Sequence, residues 1–312
     1  MTPQTAPGAR AVRARSLLFT LLGDYVRHYG GTAWIGSLIA LMAELGFTAP
    51  AVRAAVSRMA RQGWLRPIRE GRASYYALTA RGQSRVEEAA RRIFKLHPEP
   101  WDGVWRLLIV PPPADRARRA DLRRELTWMG FAPLARGVYL TPNDLWELMT
   151  AVAERYGVAG RIEAFAARRV GAGSDADVAA RYWDVDAIGR AYQEFLEVWR
   201  PRWQARRDTP AAEPLPDAAA FAEKTRLVHE FRKFLFVDPG LPRDLLPPRW
   251  SGAEARVVFS AYYHLLSEAA LRFFEAHYRP APGREGELAE GRRAARRDPF
   301  RPADAVAPAP PR

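Results

Sequence analysis

The residues best placed to do chemistry in this chain are arginines. In "TAPAVRAAVSRMARQGWL" (48–65), Arg53, Arg58 and Arg61 occur beside Ser57 without a single acid. Read as a helix at about 100° per residue, the stretch puts Val52, Val56, Met59 and Gly63 on one side, with Ala55 and Ala60 at its margins. The other side carries Pro50, Ala54, Ser57, Arg58 and Arg61, with Arg53 on the flank. Pro50 falls in the first turn, where its missing N–H costs nothing. The apolar stripe is narrow and made of small residues, so the helix must lie close against a neighbour. The opposite face offers planar guanidinium forks and a hydroxyl, groups suited to phosphate oxygens and base edges. A plain surface helix in an arginine-rich chain is the alternative reading of this segment alone.

Other chemistries lack their residues. His28, His97, His229, His264 and His277 are scattered without metal-ligand spacing, and there is no cysteine to join them; each is expected as a surface or capping residue. No G-x-S-x-G, G-x-G-x-x-G or G-x-x-x-x-G-K-[ST] pattern occurs, so nucleophile-elbow, dinucleotide and P-loop readings have no glycine frame. "GAGSDAD" (171–177) is expected as a loop in which Ser174 or Asp175 caps the next helix. The expectation is a non-enzyme, with no catalytic residues, no metal and no cofactor.

Charge is distributed unevenly. The net charge is +13, and residues 1–95 carry fifteen basic and five acidic side chains, a net of +10. Only three of the 48 basic residues are lysines (Lys95, Lys224, Lys233), which has the look of GC-rich codon bias, so the arginine count itself says little. Codon bias would spread the excess evenly, whereas here it sits in the first third. A local field of that sign suits DNA or RNA. The 312 residues suggest two or three domains. No apolar run reaches the ~18 residues of a membrane span, and "MTPQTAPGAR" has no apolar core of a signal peptide. The cysteine-free composition fits a cytoplasmic protein.

The elements that would position these arginines follow from periodicity. Residues 11–29 read as an amphipathic helix with Leu17, Leu18, Leu21, Leu22 and Tyr25 inward, and "AWIGSLIALMAELG" as a second helix closed by Gly46. After the arginine helix, Leu65–Ile68 and Ser74–Leu78 are β-prone runs around Arg69-Glu70-Gly71-Arg72, and Thr79 caps a further helix. That order is a winged helix-turn-helix, in which the second helix of the pair enters the major groove. Arg53, Ser57, Arg58 and Arg61 are the expected reading or phosphate-touching residues, and Arg66, Arg69 and Arg72 on the wing would neutralise phosphates or reach the minor groove. A winged helix that binds protein instead of DNA is the competing reading. Beyond "LHPEPWDG", the runs "VWRLLIV", "GVYLTP" and "GRIEAFAARRV" alternate with two helices, a β-α-β-α-β order that suggests a ferredoxin-like α+β unit. Such units dimerise, and a dimer presents two heads to an inverted repeat of double-stranded DNA.

The fold class expected is therefore α+β and multi-domain. Its parts are a flexible N-terminus (1–10), a winged-helix DNA-binding domain (11–95), a ferredoxin-like dimerisation domain (96–173), a mostly helical C-terminal effector domain (174–280) and a disordered tail (281–312).

The order "ARSLLFTLLGDYV", "GFTAPAVRAAVSRMARQGWL", "GRASYYALTARG", "WDGVWRLLIV" and "HEFRKFLFVDPGLPRDLLPPRW" resembles PaaX-type repressors of phenylacetate degradation over roughly residues 12–279, most specifically in "DPGLPRDLLPPRW". The resemblance implies a homodimeric repressor of a phenylacetate catabolic operon, released from its operator by an aryl acyl-CoA, usually phenylacetyl-CoA. A winged-helix regulator of another pathway with a different effector stays open. The middle unit also looks like the ferredoxin-like fold of CRISPR adaptation nucleases, which use an acid at the end of the first strand. Here that position reads Val110-Pro111-Pro112-Pro113, and the first acid is Asp115, so a nucleic-acid-processing enzyme with a degenerate nuclease unit is the remoter alternative.

A thioester with a phenyl end and a phosphorylated adenosine end needs an apolar slot and two or three cations. The C-terminal helices supply both in Tyr182, Trp183, Trp199 and Trp203 and in His229, Phe231, Arg232 and Lys233, with Arg232 and Lys233 as phosphate candidates. Aromatic core filling with arginine edges is the competing explanation for each, and a surface between the middle and C-terminal domains is equally open.

Overall fold

The structure is a computed structural model that describes residues 13–95, 100–111, 113, 115–209 and 214–301. The expected flexible N-terminus (1–10), the tail beyond 301 and His97 lie outside the described residues. The chain forms two compact units, one from residues 1–95, 199–232 and 258–312, the other from 96–198 and 233–257. The helical stretch 174–280, expected as one domain, is shared between them.

In the first unit, α1 (Ala14–Asp24) buries Leu17, Leu18, Leu21 and Leu22, and a 3-10 turn (Val26–Tyr29) replaces the expected last turn of that helix. The second helix starts later than its apolar run suggests. Gly30 and Gly31 take positive φ (70° and 67°) and swing the chain into strand β1 (Thr32–Trp34), so that α2 spans only Ile35–Ala43. The recognition-type helix α3 runs from Ala49 to Arg61, followed by β2 (Leu65–Glu70), β3 (Ala73–Leu78) and α4 (Ala80–Ile93), the last capped by Thr79 Oγ1. The wing sheet has order β1-β3-β2, all antiparallel, with a tight turn whose Gly71 sits at φ 59°.

C-terminal helices complete this unit. Asp24, alone among the buried residues of α1 in carrying a charge, meets Lys224 of α9 (Asp217–Phe231) at 2.9 Å, and the Tyr263 hydroxyl of α10 (Ser251–His277) donates to its other oxygen at 2.9 Å. The Tyr278 hydroxyl donates to the carbonyls of Tyr29 and Thr32, holding the turn between α1 and β1.

The region after residue 280, expected to be disordered, is ordered as far as 301 and forms α11 (Glu287–Ala295). It lacks apolar periodicity because its attachment rests on single residues. Gly291 lies against the Tyr29 ring, where a Cβ would stand 2.5 Å from Cδ1. Arg296 and Arg292 reach Glu275 of α10 at 2.9 and 3.6 Å, and Phe300 enters an aromatic cluster with Phe94, Phe259 and Tyr263. Burial pushes the Glu275 carboxyl up, but the hydrogen bonds from Arg296 and Tyr29 prevail and hold it below its ordinary value. A Gly291→Leu variant should overpack this contact and destabilise the first unit by about 1–3 kcal/mol, read as a lower urea midpoint for loss of DNA binding. An unchanged midpoint would show that α11 adds no stability.

In the second unit, β4 (Trp105–Ile109), α5 (Arg116–Trp128), β5 (Ala132–Ala135), β6 (Val138–Thr141), α6 (Trp146–Arg155) and β7 (Glu163–Ala167) form an antiparallel sheet of order β5-β6-β4-β7. This is the ferredoxin-like β-α-β-β-α-β arrangement, with one strand more than periodicity suggests. Strand β5 escapes notice because "APLA" has no β-branched residue and a proline, and its ladder shifts register between Pro133 and Ala135. One sheet face packs on α5 and α6 through Leu108, Val110, Leu122, Leu126 and Met149. The other is partly covered by α7 (Asp175–Tyr182), the start of α8 (Val185–Arg207) and Leu241 and Leu245 of the following loop. Ser174 opens α7 with a reciprocal capping box to Asp177, as its sequence position suggests.

Candidate nucleic-acid interface

The buried stripe of α3 is Val52, Ala55, Val56 and Met59, each at 0% exposure. Gly63 lies beyond the helix at φ 73° and ends it. With that stripe fixed, Arg53, Ser57 and Arg61 share a solvent-facing line at four-residue spacing, and Arg58 stands beside Ala54; all five are exposed. Exposed Ala54 keeps this face low, so a partner can approach the helix backbone.

On the wing, Arg66, Arg69 and Arg72 are exposed. Strand alternation puts Arg66 and Arg69 on opposite faces of the β2–β3 hairpin, with Arg72 in its turn. The wing therefore presents charge on two sides and at its tip. None of these six guanidinium groups makes a hydrogen bond or ion pair among the described residues. A cluster of like charges without acidic partners attracts a polyanion.

Two further arginines join this surface that residue spacing alone does not single out. Arg81, on α4, stacks its guanidinium 4.1 Å from the Trp64 ring centroid and donates to the Gln62 carbonyl. Arg15, on α1, donates to the Gln62 side chain. Both converge on the C-terminal end of α3, and the Thr79 hydroxyl, bonded to the Gly63 carbonyl at 2.7 Å, is what brings α4 there. The Thr79 cap was the available signal.

The residues proposed for an effector are divided between the two units. In the first, His229 is buried with Nδ1 3.1 Å from Thr20 Oγ1, and Arg232 donates to the Ser16 carbonyl at 2.6 Å and to Thr20 at 3.2 Å. Burial and the nearby Arg85 charge push the Arg232 guanidinium down to about 10. Arg232, half-buried, thus braces α1 through these two bonds. Trp199 is buried with Arg202 over its ring, and Arg207 covers Trp203. In the second unit Trp183 stacks on Trp105 at 6.2 Å, Tyr182 packs against the same cluster, and Lys233 is exposed.

The histidines also depart in part from expectation. His229 is buried and His28 half-buried; desolvation and the adjacent Arg27 charge push the His28 imidazole down to about 3, keeping it neutral. His264 pairs with Asp298 at 2.9 Å, and His277 hydrogen-bonds the Phe273 carbonyl at a helix end. Among the described residues no cluster of three metal-ligating side chains forms. Asp115, the first acid after β4, is spent as the N-cap of α5, accepting from the Arg118 amide at 2.8 Å. No described helix is long and apolar enough to cross a membrane.

The "DPGLPRDLLPPRW" stretch belongs to the second unit and is structural. Asp238 accepts from the Tyr192 hydroxyl, from Arg256 at 3.3 Å and from the Gly240 amide at 2.7 Å. Asn143 donates to the Pro239 and Gly240 carbonyls. Gly130, at φ 99°, leaves space for the Pro239 carbonyl, which would stand 2.5 Å from any Cβ there.

Fold and surface together define a multi-domain winged-helix protein that carries a ferredoxin-like unit. Three family models match in the same order: PaaX-like protein over residues 13–82, the PaaX protein central Cas2-like domain over 98–179, and the PaaX-like protein C-terminal domain over 183–276. The chain is 34% identical over 273 residues to the transcriptional repressor PaaX of Escherichia coli (strain K12), covering 86% of this chain and 85% of that protein. It belongs to the PaaX family. It is also similar to the solved structure of an uncharacterised protein from Mycobacterium tuberculosis, with a TM-score of 0.50 and 28% identity over 85% of this chain and 98% of that one.

Proposed function

We propose that this protein is a cytoplasmic transcriptional repressor that binds double-stranded operator DNA through α3 and the wing. It acts as a homodimer on an inverted repeat controlling an aromatic, phenylacetate-type catabolic operon, and an aryl acyl-CoA such as phenylacetyl-CoA releases it. The observation that carries the DNA half is the acid-free face of α3, whose arginines have no partner within the described chain. The 34% identical relative, itself a transcriptional repressor, supports the regulatory half. The inducer rests on the family resemblance.

Release is a matter of linkage. An effector that prefers a dimer geometry unable to match the half-site spacing lowers operator affinity by its preference. A coupling of about 2–3 kcal/mol weakens DNA binding some 30- to 150-fold. Fluorescence anisotropy of the protein on its own upstream DNA, at two salt concentrations, tests both halves. Sequence-specific binding relieved by phenylacetyl-CoA and not by free phenylacetate is expected. Specific binding indifferent to the thioester would remove the inducer, and no specific binding at either salt would remove the repressor.

A further inference from the structure

The central unit holds a second concentration of positive charge that DNA binding by α3 leaves unused. Helix α5 and the β5–β6 hairpin enclose a cleft of about 430 Å³, within the size range of small-molecule sites. Its walls are apolar at Leu122 of α5 and Leu134 of β5, and its rim carries Arg119 and Arg123 of α5 and Arg136 of the hairpin turn. Among the described residues no carboxylate lines it. The acids of α5 are engaged elsewhere: Asp121 with Arg124, and Glu125 with Arg155 at 3.4 Å.

Arg119 is held at the rim by its bond to the Pro113 carbonyl at 2.9 Å. Arg123 and Arg136 are exposed and make no hydrogen bond or ion pair among the described residues. Tyr139 of β6 lines the same space; burial pushes its hydroxyl's pKa up, and the field of Arg123 pulls the other way. Arg123 and Arg136 bring their charge to this space without an acidic partner among the described residues, and planar guanidinium forks match phosphate oxygens. A monocarboxylate would answer only one of the three rim arginines. Strand addition is a poor use of this edge, because Pro133 has no N–H to donate and the bulge breaks the ladder.

We propose that this cleft binds a phosphorylated small molecule with an apolar segment, its phosphates on Arg119, Arg123 and Arg136 and its apolar part against Leu122 and Leu134. The identification of that ligand with an acyl-CoA effector, whose phosphorylated adenosine end meets these demands, rests on the function proposed above. The cleft itself does not depend on it.

Calorimetric titration of the full chain with adenosine 3′,5′-bisphosphate, coenzyme A and phenylacetyl-CoA tests the site, using Arg123→Glu and Arg136→Glu. Both positions are exposed, so the variants should keep the wild-type circular dichroism spectrum. The expected result is that wild type binds the bisphosphate and that each reversal weakens it roughly 10- to 100-fold, with the thioester following. Arg72→Glu on the wing should leave this binding unchanged. Binding of no phosphorylated probe by wild type, or equal binding by wild type and both cleft variants, overturns the proposal. A thioester that still releases operator DNA in that case keeps the inducer and moves it to another site. Variant-sensitive bisphosphate binding without release by the thioester keeps the cleft and retires the inducer. Loss of operator affinity in Arg123→Glu with bisphosphate binding intact would make the cleft a DNA contact, which also overturns the proposal.

Discussion

Replacing Lys224 by Met should destabilise the DNA-binding unit by about 3–5 kcal/mol, because it leaves the Asp24 carboxylate buried without its counter-charge. The two side chains are 5% and 1% exposed, and the ammonium also lies over the rings of Tyr25 and Tyr263 at 4.5 and 4.1 Å. Burial pushes the Lys224 pKa down while Asp24 pulls it back up, so the ammonium depends on its partner as the carboxylate does. Removing both charges is a different experiment from removing one. An Asp24→Asn, Lys224→Met double variant keeps a group able to accept from Tyr263 and removes the orphaned charge, so it should recover a large part of the loss. Urea titration followed by operator-binding anisotropy reads the first unit alone, which matters because tryptophans occur in both units. A single variant as stable as wild type would show that the pair contributes no net stability, and a double variant no better than the single would show that the loss does not come from the orphaned carboxylate.

This pair also says why the head is not a separable module. The first helix is clamped at Asp24 by Lys224 of α9 and at Ser16 and Thr20 by Arg232, which follows α9, and the turn after it is held by Tyr278. Any effector that changes the packing of α9 or α10 on α1 therefore acts on the element that supports α3. The release proposed above would require a two-state element of this kind.

What was legible in the sequence was local. The apolar repeat of residues 17–25 and the small stripe of α3 announce themselves, since period and residue size together fix which face is buried. The wing follows from two β-prone runs about a glycine turn. The roles of Asp24 and Arg232 were not legible, because a polar residue on an amphipathic helix reads as solvent-facing until its partner is known. Here the partners lie 200 or more residues away. The aromatic residues of the C-terminal helices pose the converse difficulty. A ligand box and a packed core read alike in sequence, and Trp183, Trp199 and His229 each pack or hydrogen-bond within their own unit. The tail was illegible for a third reason: a glycine against a ring and one inserted phenylalanine leave no period to detect.

The face of α3 can be divided into reading and holding residues by which property each variant changes. If Arg58 or Arg61 forms a bidentate contact to guanine, substitution by Ala should cost roughly 1–3 kcal/mol on the operator and much less on random DNA, so sequence preference relaxes. Arg72→Ala, at the exposed tip of the wing, should weaken operator and random DNA together. It should also flatten the salt dependence by about 0.9 in log–log slope for each phosphate that is no longer neutralised. The distinction follows from position: Arg58 and Arg61 stand on a helix whose exposed Ala54 keeps its face low enough for a groove edge, whereas Arg72 sits in a two-residue turn where no acceptor among the described residues fixes its fork. Anisotropy on operator and scrambled duplexes across a salt series separates the two patterns. Equal losses on both duplexes for all three variants would mean that α3 holds phosphates without reading bases, and the reading element would have to be sought on the wing.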